Sequence, residues 1–150
     1  MILYRITKCM YTDLSGLGAK LYGGRWNSEG RPMVYLTSSR SLGMLEALAH
    51  FSPTNLPTDY CMMTIDVPEN FTELVIKSLP KNWHEYPEQN STKQIGNGFL
   101  QDKKYLLLRV PSAIVPDEYN YLLNPLHPEA ASVKIISSQP FHFDPRLTAH

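Results

Sequence analysis

Apolar and polar residues alternate with the period of a strand at the start of the chain. Residues 2–7 predict a β-strand with Leu3 and Arg5 on one face and Tyr4 and Ile6 on the other. Residues 13–24 carry Gly16, Gly18, Gly23 and Gly24 and read as a loop. A second strand is expected over residues 32–37, where Val34 and Leu36 point one way and Met33, Tyr35 and Thr37 the other. Ser38 or Ser39 suits the N-cap of a helix that runs to about Phe51 and stops before Pro53. Its expected apolar stripe is Leu42, Leu45, Leu48 and Ala49.

The second half of the chain has shorter signals. Residues 60–67 predict a strand with Cys61, Met63, Ile65 and Val67 on one face, and residues 74–76 a weaker one. Residues 80–89 hold Trp83, His84, Tyr86 and two prolines, which predicts a loop with His84 on the surface. A helix is expected from Ser91 or Thr92 to about Gln101, weakened by Gly96 and Gly98. Residues 105–110 form a buried strand that Pro111 ends, with Ser112 in the irregular segment beyond it. Asn120 and Asn124 flank a short apolar run; residues 128–132 suit one helical turn, and residues 133–136 and 140–143 close with strand character. No repeat or linker interrupts the series. Short strands with two or three helices predict a single α+β domain over residues 1–150.

Composition narrows the class of function. The chain has 150 residues, 43% hydrophobic and 19% charged, as expected of one globular domain. Its formal net charge of zero argues against a nucleic-acid-binding surface. No apolar run approaches the roughly 20 residues of a membrane span, and the opening residues lack the plan of a signal peptide. Cytoplasmic residence is the expectation, with Cys9 and Cys61 as free thiols because their spacing fits neither metal nor redox motifs. The histidines His50, His84, His127, His142 and His150 are too scattered for a zinc site, and no phosphate-binding loop or nucleophile elbow is present.

Candidate chemistry gathers in residues 23–46. Gly23 and Gly24 allow close approach of the backbone, and Arg25 carries a planar fork suited to carboxylate or pyrophosphate. Trp26 is expected in the core and Asn27 on its own turn. Glu46 has two readings, a surface pair with His50 one turn on or a carboxylate turned into a pocket. Arg5 likewise reads as a solvated edge residue or a functional one. Two arginines, a tyrosine, a glutamate and a serine suit an anionic ligand whose reacting centre becomes cationic. NAD+ has a pyrophosphate, a flat nicotinamide and a glycosidic bond that breaks through a cationic state, so it is compatible with the set without being selected by it.

The succession Tyr4-Arg5, Gly24-Arg25-Trp26-Asn27, Val34-Tyr35-Leu36, Glu46, Val110-Pro111-Ser112 and Asn120 through Asn124-Pro125 resembles the RES domain family, the toxins of RES–Xre toxin–antitoxin pairs. A tryptophan expected soon after Gly98 is missing. The resemblance covers nearly the whole chain. It implies a fold similar to ADP-ribosyltransferases, with mixed β-sheets and a few helices around an NAD+ cleft. It implies growth arrest through NAD+ degradation by phosphorolysis or hydrolysis, with NAD+ as substrate, inorganic phosphate as a candidate co-substrate and no resident cofactor or metal. Some relatives transfer ADP-ribose to a protein, and a non-catalytic antitoxin- or nucleotide-binding module is a third alternative. By the resemblance, Arg5 and Arg25 would hold phosphates and Tyr35 would pack on nicotinamide or ribose. Glu46 would stabilise the oxocarbenium ion or orient the acceptor, Ser112 would bond the nicotinamide or ribose side, and Asn120 would support the site. The implied partner is an Xre-type antitoxin with a helix-turn-helix, through which alone DNA would be bound; a homodimer is also compatible, and no membrane is involved.

Overall fold

The computed structural model describes residues 1–52 and 54–148, so Pro53 and His150, both named above, lie outside the described residues. Its centre is one seven-stranded sheet in the order β4-β5-β6-β2-β1-β3-β7. The strands are β1 (Ile2–Lys8), β2 (Val34–Thr37), β3 (Tyr60–Asp66), β4 (Phe71–Glu73), β5 (Leu107–Pro111), β6 (Tyr119–Leu123) and β7 (Lys134–Phe141). Neighbours run antiparallel except β4 and β5, which are parallel. The sequence expectation of an α+β domain with a mixed sheet therefore holds. β7 forms one edge, and none of its residues is buried.

Both sheet faces are covered. Leu3, Val34, Leu36, Met63, Ile65 and Leu123 belong to one core, as period-two alternation requires. The other core joins Trp26, Met33, Leu108, Val110, Leu122 and Leu100, the last contributed by helix α3 (Asn90–Asp102). Trp26 is 3% exposed, in keeping with its expected core place. Each such side chain contributes roughly 1.5–3 kcal/mol by leaving water.

Helix α2 (Arg40–Leu48) starts at Ser39, whose Oγ accepts from the Leu42 amide at 3.1 Å. It packs through Leu42, the first member of the expected stripe, and through Gly43, whereas Leu45 is 45% exposed and Leu48 and Ala49 are not buried. Gly43 permits this approach, since a Cβ there would stand 3.1 Å from Thr37 Oγ1. Docking on that face turns Glu46, one turn later, along the same side.

Other expectations shift. The glycine-rich loop contains a helix, α1 (Leu17–Tyr22), bracketed by Gly16 at φ 74° and Gly23 at φ 70°. The glycines mark its ends, where left-handed backbone is needed, and Ala19, Lys20 and Leu21 between them are good helix formers. The weak strand lies at Phe71–Glu73, because those residues pair with Leu107–Arg109; Val75 beyond them is exposed. The two closing strands are one, β7, while Pro128–Ser132 forms the expected turn of helix, of 3-10 type.

The cysteines depart most from expectation. Cys9 and Cys61 form a disulfide instead of remaining free thiols. Thr7 stands opposite Cys61, and Cys9 continues the pairing by donating its amide to Asp59 O at 2.8 Å. The two Cα atoms are 5.0 Å apart across 52 residues of sequence, a neighbourhood that spacing could not reveal. Among the described residues no helix is long and apolar enough to cross a membrane.

Two glycines of α3 should respond oppositely to alanine. A Cβ at Gly96 would overlap the Trp26 carbonyl, whereas Gly98 faces open space. Gly96→Ala should lower unfolding free energy in urea by about 2 kcal/mol. Gly98→Ala should raise it by roughly 0.5–1 kcal/mol.

Candidate active site

The site opens where the sheet comes apart. β1 and β2 share one register pair, Tyr4 opposite Thr37, and pair no further. Arg5, Ile6, Thr7 and Lys8 then line a cleft of about 750 Å³ together with Tyr35, on β2. Consecutive residues of a strand can all face one space only if its edge is open. The Cys9 amide bonds Asp59 O and Met1 O accepts from Val67 N, so the odd residues of β1 turn their peptide groups toward β3. The peptide groups of Ile6 and Lys8 accordingly face the cleft.

One wall is tied by a buried amide. Asn27 is fully buried, and its Nδ2 donates to the carbonyls of Ala19 at 2.9 Å, Arg31 at 3.0 Å and Ser28 at 3.2 Å. Its Oδ1 accepts from the Tyr35 hydroxyl at 2.7 Å, and that hydroxyl accepts from the Trp26 amide at 3.1 Å. Asn27 thus bonds its own turn, as expected, and also reaches α1 and β2. A Cβ on Gly24 would sit 2.6 Å from the Tyr35 hydroxyl, which explains the glycine. Burial pushes the Tyr35 phenol well above its usual value, so it is neutral at pH 7.

Both candidate arginines reach the cleft, each with Nη1 held by carbonyls. Arg25 Nη1 donates to Trp83 O at 2.7 Å and Glu85 O at 3.0 Å, bringing the loop of residues 80–89 to the cleft. Arg5 Nη1 donates to Tyr11 O at 3.1 Å and Asp13 O at 3.2 Å. Loss of solvent lowers the Arg5 pKa to about 10, with Asp13 pulling the other way, so the guanidinium stays charged at pH 7. Arg5 is therefore not the solvated edge residue of one reading.

Glu46 occupies the cleft wall, the second of its two readings; no Glu46–His50 ion pair occurs among the described residues. Ser112 Oγ and Asn120 Nδ2 both donate to Glu46 Oε1, each at 2.7 Å. Ser112 is oriented in turn by the amides of Ile114 and Val115, which donate to its Oγ at 3.1 Å. Glu46 Oε2 has no protein donor among the described residues, and Asn120 Oδ1 is buried without a partner. The six candidates thus meet around one space: five line it, and Ser112 acts on it through Glu46.

Sequence reasoning missed the carbonyls that seat the arginines and the aromatic lining from Tyr11, Tyr22 and Tyr60. A backbone acceptor has no signature in side-chain identity, and Tyr11, Tyr22 and Tyr60 are too far apart in sequence to announce a shared lining. Among the described residues no group of three His, Cys, Asp or Glu could hold a metal ion. A carboxylate with one oxygen anchored and the other open, set among cations and a neutral phenol, is equipped to stabilise positive charge developing on a bound anion.

Comparison with known proteins bears on family and fold. The RES domain profile matches residues 2–144. A toxin named Res from Photorhabdus laumondii subsp. laumondii is 45% identical over 84% of this chain and 83% of its own length. The Prs ADP-ribosylating toxin of Sphingobium sp. is 39% identical, covering 90% of this chain and 86% of its own length. Among solved structures, a chain of the M. tuberculosis MbcT–MbcA toxin–antitoxin complex superposes with a TM-score of 0.78 at 21% identity, over 99% of this chain and 86% of that one. At that identity the superposition speaks to the fold.

Tyr35→Phe removes the hydroxyl and leaves the buried Asn27 Oδ1 without its donor. Unfolding free energy should fall by about 1–3 kcal/mol in chemical denaturation at pH 7. The raised phenol pKa also sets a sign: the stability it carries is complete below about pH 10, the free phenol's value, and is lost as pH rises above it. Tyr35→Phe should therefore flatten the decline in stability measured between pH 9 and 11.

Proposed function

The chain belongs to the RES domain family, and from that premise we propose that it is the toxin of a toxin–antitoxin pair, acting in the cytoplasm by cleaving the nicotinamide–ribose bond of NAD+. The observation that carries the reading is Glu46, anchored on one oxygen by Ser112 and Asn120 and open on the other, inside a cleft that holds two arginines.

The chemistry follows from what each group can offer. Arg5 and Arg25 attract the pyrophosphate with the donors left over from their carbonyls. The Tyr35 ring packs on the nicotinamide or its ribose, while its hydroxyl stays with Asn27. The open peptide edge at Ile6 supplies a donor and an acceptor suited to the carboxamide. When the bond breaks, its electron pair leaves with nicotinamide, which becomes neutral without a general acid. The ribose carbon is left as an oxocarbenium ion. Glu46 stabilises that ion and orients the acceptor. Water as acceptor gives ADP-ribose, and inorganic phosphate gives ADP-ribose phosphate. Ser112 and Asn120 keep the carboxylate turned toward the reacting carbon, and Asn120 Oδ1 is available to a ligand N–H or O–H.

The antitoxin reading draws on the relatives' names and on the solved toxin–antitoxin complex. Exposed apolar side chains at the cleft rim suit such a cover: Tyr22 is 72% exposed and Tyr86 78%. An Xre-type partner would also carry the DNA-binding part, in keeping with the zero formal net charge of this chain. A second reading, transfer of ADP-ribose to a protein, is favoured by the 39% identity to a toxin named for ADP-ribosylation. The cleft and Glu46 serve both, because the same bond breaks.

Product analysis separates the acceptors. The purified chain, freed of antitoxin, should release nicotinamide from NAD+. ADP-ribose phosphate formed only with phosphate would mark phosphorolysis, and free ADP-ribose in both conditions hydrolysis. Adenine label appearing on protein would move the assignment to the second reading, and no nicotinamide release at all would overturn NAD+ cleavage. Glu46→Gln should keep the wild-type unfolding temperature and lose at least about 100-fold in kcat. Wild-type turnover by that variant would remove Glu46 from its catalytic role.

A further inference from the structure

The disulfide has no part in the chemistry above, yet it sits against the parts that do. Neither sulfur-bearing residue lines the cleft, but their neighbours Lys8, Tyr11 and Tyr60 do. Cys9 opens the segment of residues 9–16, which returns the carbonyls of Tyr11 and Asp13 to Arg5. Its side-chain hydrogen bonds are otherwise local, and its far end is anchored by Leu14, packed on the core, and by Gly16 against the Met33 backbone. Thr12 Oγ1 donates to Cys9 O at 3.0 Å, and the Asp13 carboxylate accepts from Ser15, also within the segment. The link to β3 is the disulfide together with the Cys9–Asp59 backbone bond.

The geometry points to Cys9–Cys61 as a thiol–disulfide switch that sets how firmly Arg5 is held in the cleft. Cys61 is 7% exposed and Cys9 is the more accessible partner. A thiolate of a dithiol reductant attacks Cys9 Sγ, and Cys61 leaves as a thiolate and takes a proton. The reductant's second thiol then displaces Cys9. Two cysteine thiols remain, and the reductant departs as its disulfide; a disulfide oxidant reverses the exchange. In the opened form the segment keeps the Cys9–Asp59 backbone bond and the Leu14 anchor but loses its covalent clamp, so the two carbonyls hold the guanidinium less firmly. Glu46 takes its partners from the β5–β6 side and keeps them. Reduction therefore weakens the hold on an anionic substrate and leaves the bond-breaking step alone. For its kinetic readout the inference rests on the NAD+-cleaving reading.

The test compares the whole chain oxidised by a small disulfide with the same chain reduced by dithiothreitol. Thiols are counted by alkylation and mass, alongside NAD+ kinetics and amide hydrogen exchange over residues 9–16. Reduction should raise KM about tenfold with kcat nearly unchanged, speed exchange in the segment, and be undone by reoxidation. Cys9→Ser should stay at the reduced values in both conditions. Two alkylatable thiols in the oxidised sample, or KM and exchange unchanged by reduction, would overturn the switch. If neither form consumed NAD+, the functional reading would fall and exchange would decide the switch alone: faster in the reduced form upholds it, equal rates reject it.

Discussion

A fully buried amide must find partners for both its ends, and in this protein that demand organises the cleft. An unpaired Asn27 would cost on the order of 1–3 kcal/mol per orphaned group. It avoids the cost by drawing in α1, the turn around Arg31 and the hydroxyl of Tyr35. Tyr35 then captures the Trp26 amide, and the turn that carries Arg25 is held between the buried Asn27 and the half-buried Tyr35. Gly24 is small because the knot leaves no room for a Cβ. The knot fixes the backbone from which Arg25 springs, and the carbonyls of Trp83 and Glu85 then keep a long and flexible side chain at a defined place.

The charged groups obey a second constraint. A guanidinium loses hydration on entering the cleft, and the lowered pKa of Arg5 records that loss. Carbonyl oxygens offset part of it without neutralising the charge, as a carboxylate partner would. The arginines therefore remain available to an anion. Glu46 is treated differently: its donors are a hydroxyl and a primary amide, both neutral, so its negative charge is oriented and not cancelled. Opposite charges share the cleft without forming an ion pair with one another among the described residues. That separation suits a ligand that carries negative charge at one end and develops positive charge at the other.

How much of this was legible follows from the range of each interaction. The alternation in residues 2–7 and 60–67 identified two central strands, because a half-buried strand shows its faces in the order of its residues. Ser39 announced the start of α2 through a contact three residues away. The stripe of α2 was right at Leu42 and wrong beyond it, because Gly43 contributes fit and not hydrophobicity, and Leu45 was counted for its side chain alone. The helix Leu17–Tyr22 was hidden by the glycines that end it. Residue identities nominated the groups that assemble, with family resemblance sharpening the choice. The bonds from Ser112 and Asn120 to Glu46 span 66 and 74 residues, beyond any local pattern. The disulfide is the same lesson with the opposite result: spacing along the chain says little about two cysteines on neighbouring strands.

The open edge at β7 has a consequence for the molecule outside its chemistry. Eight residues of unburied strand, with Ile135 and Ile136 among the exposed apolar side chains, form a template for an added strand from another chain. Pro140 stands opposite Cys61, whose peptide group turns away toward β1, so by alternation the proline nitrogen lies on the free side. It has no hydrogen to donate there. Lys134 places a charge at the other end of the same edge. An incoming strand would have to desolvate that charge and lose a rung of the ladder. Two residues with no place in the cleft thereby guard the sheet against indiscriminate self-association.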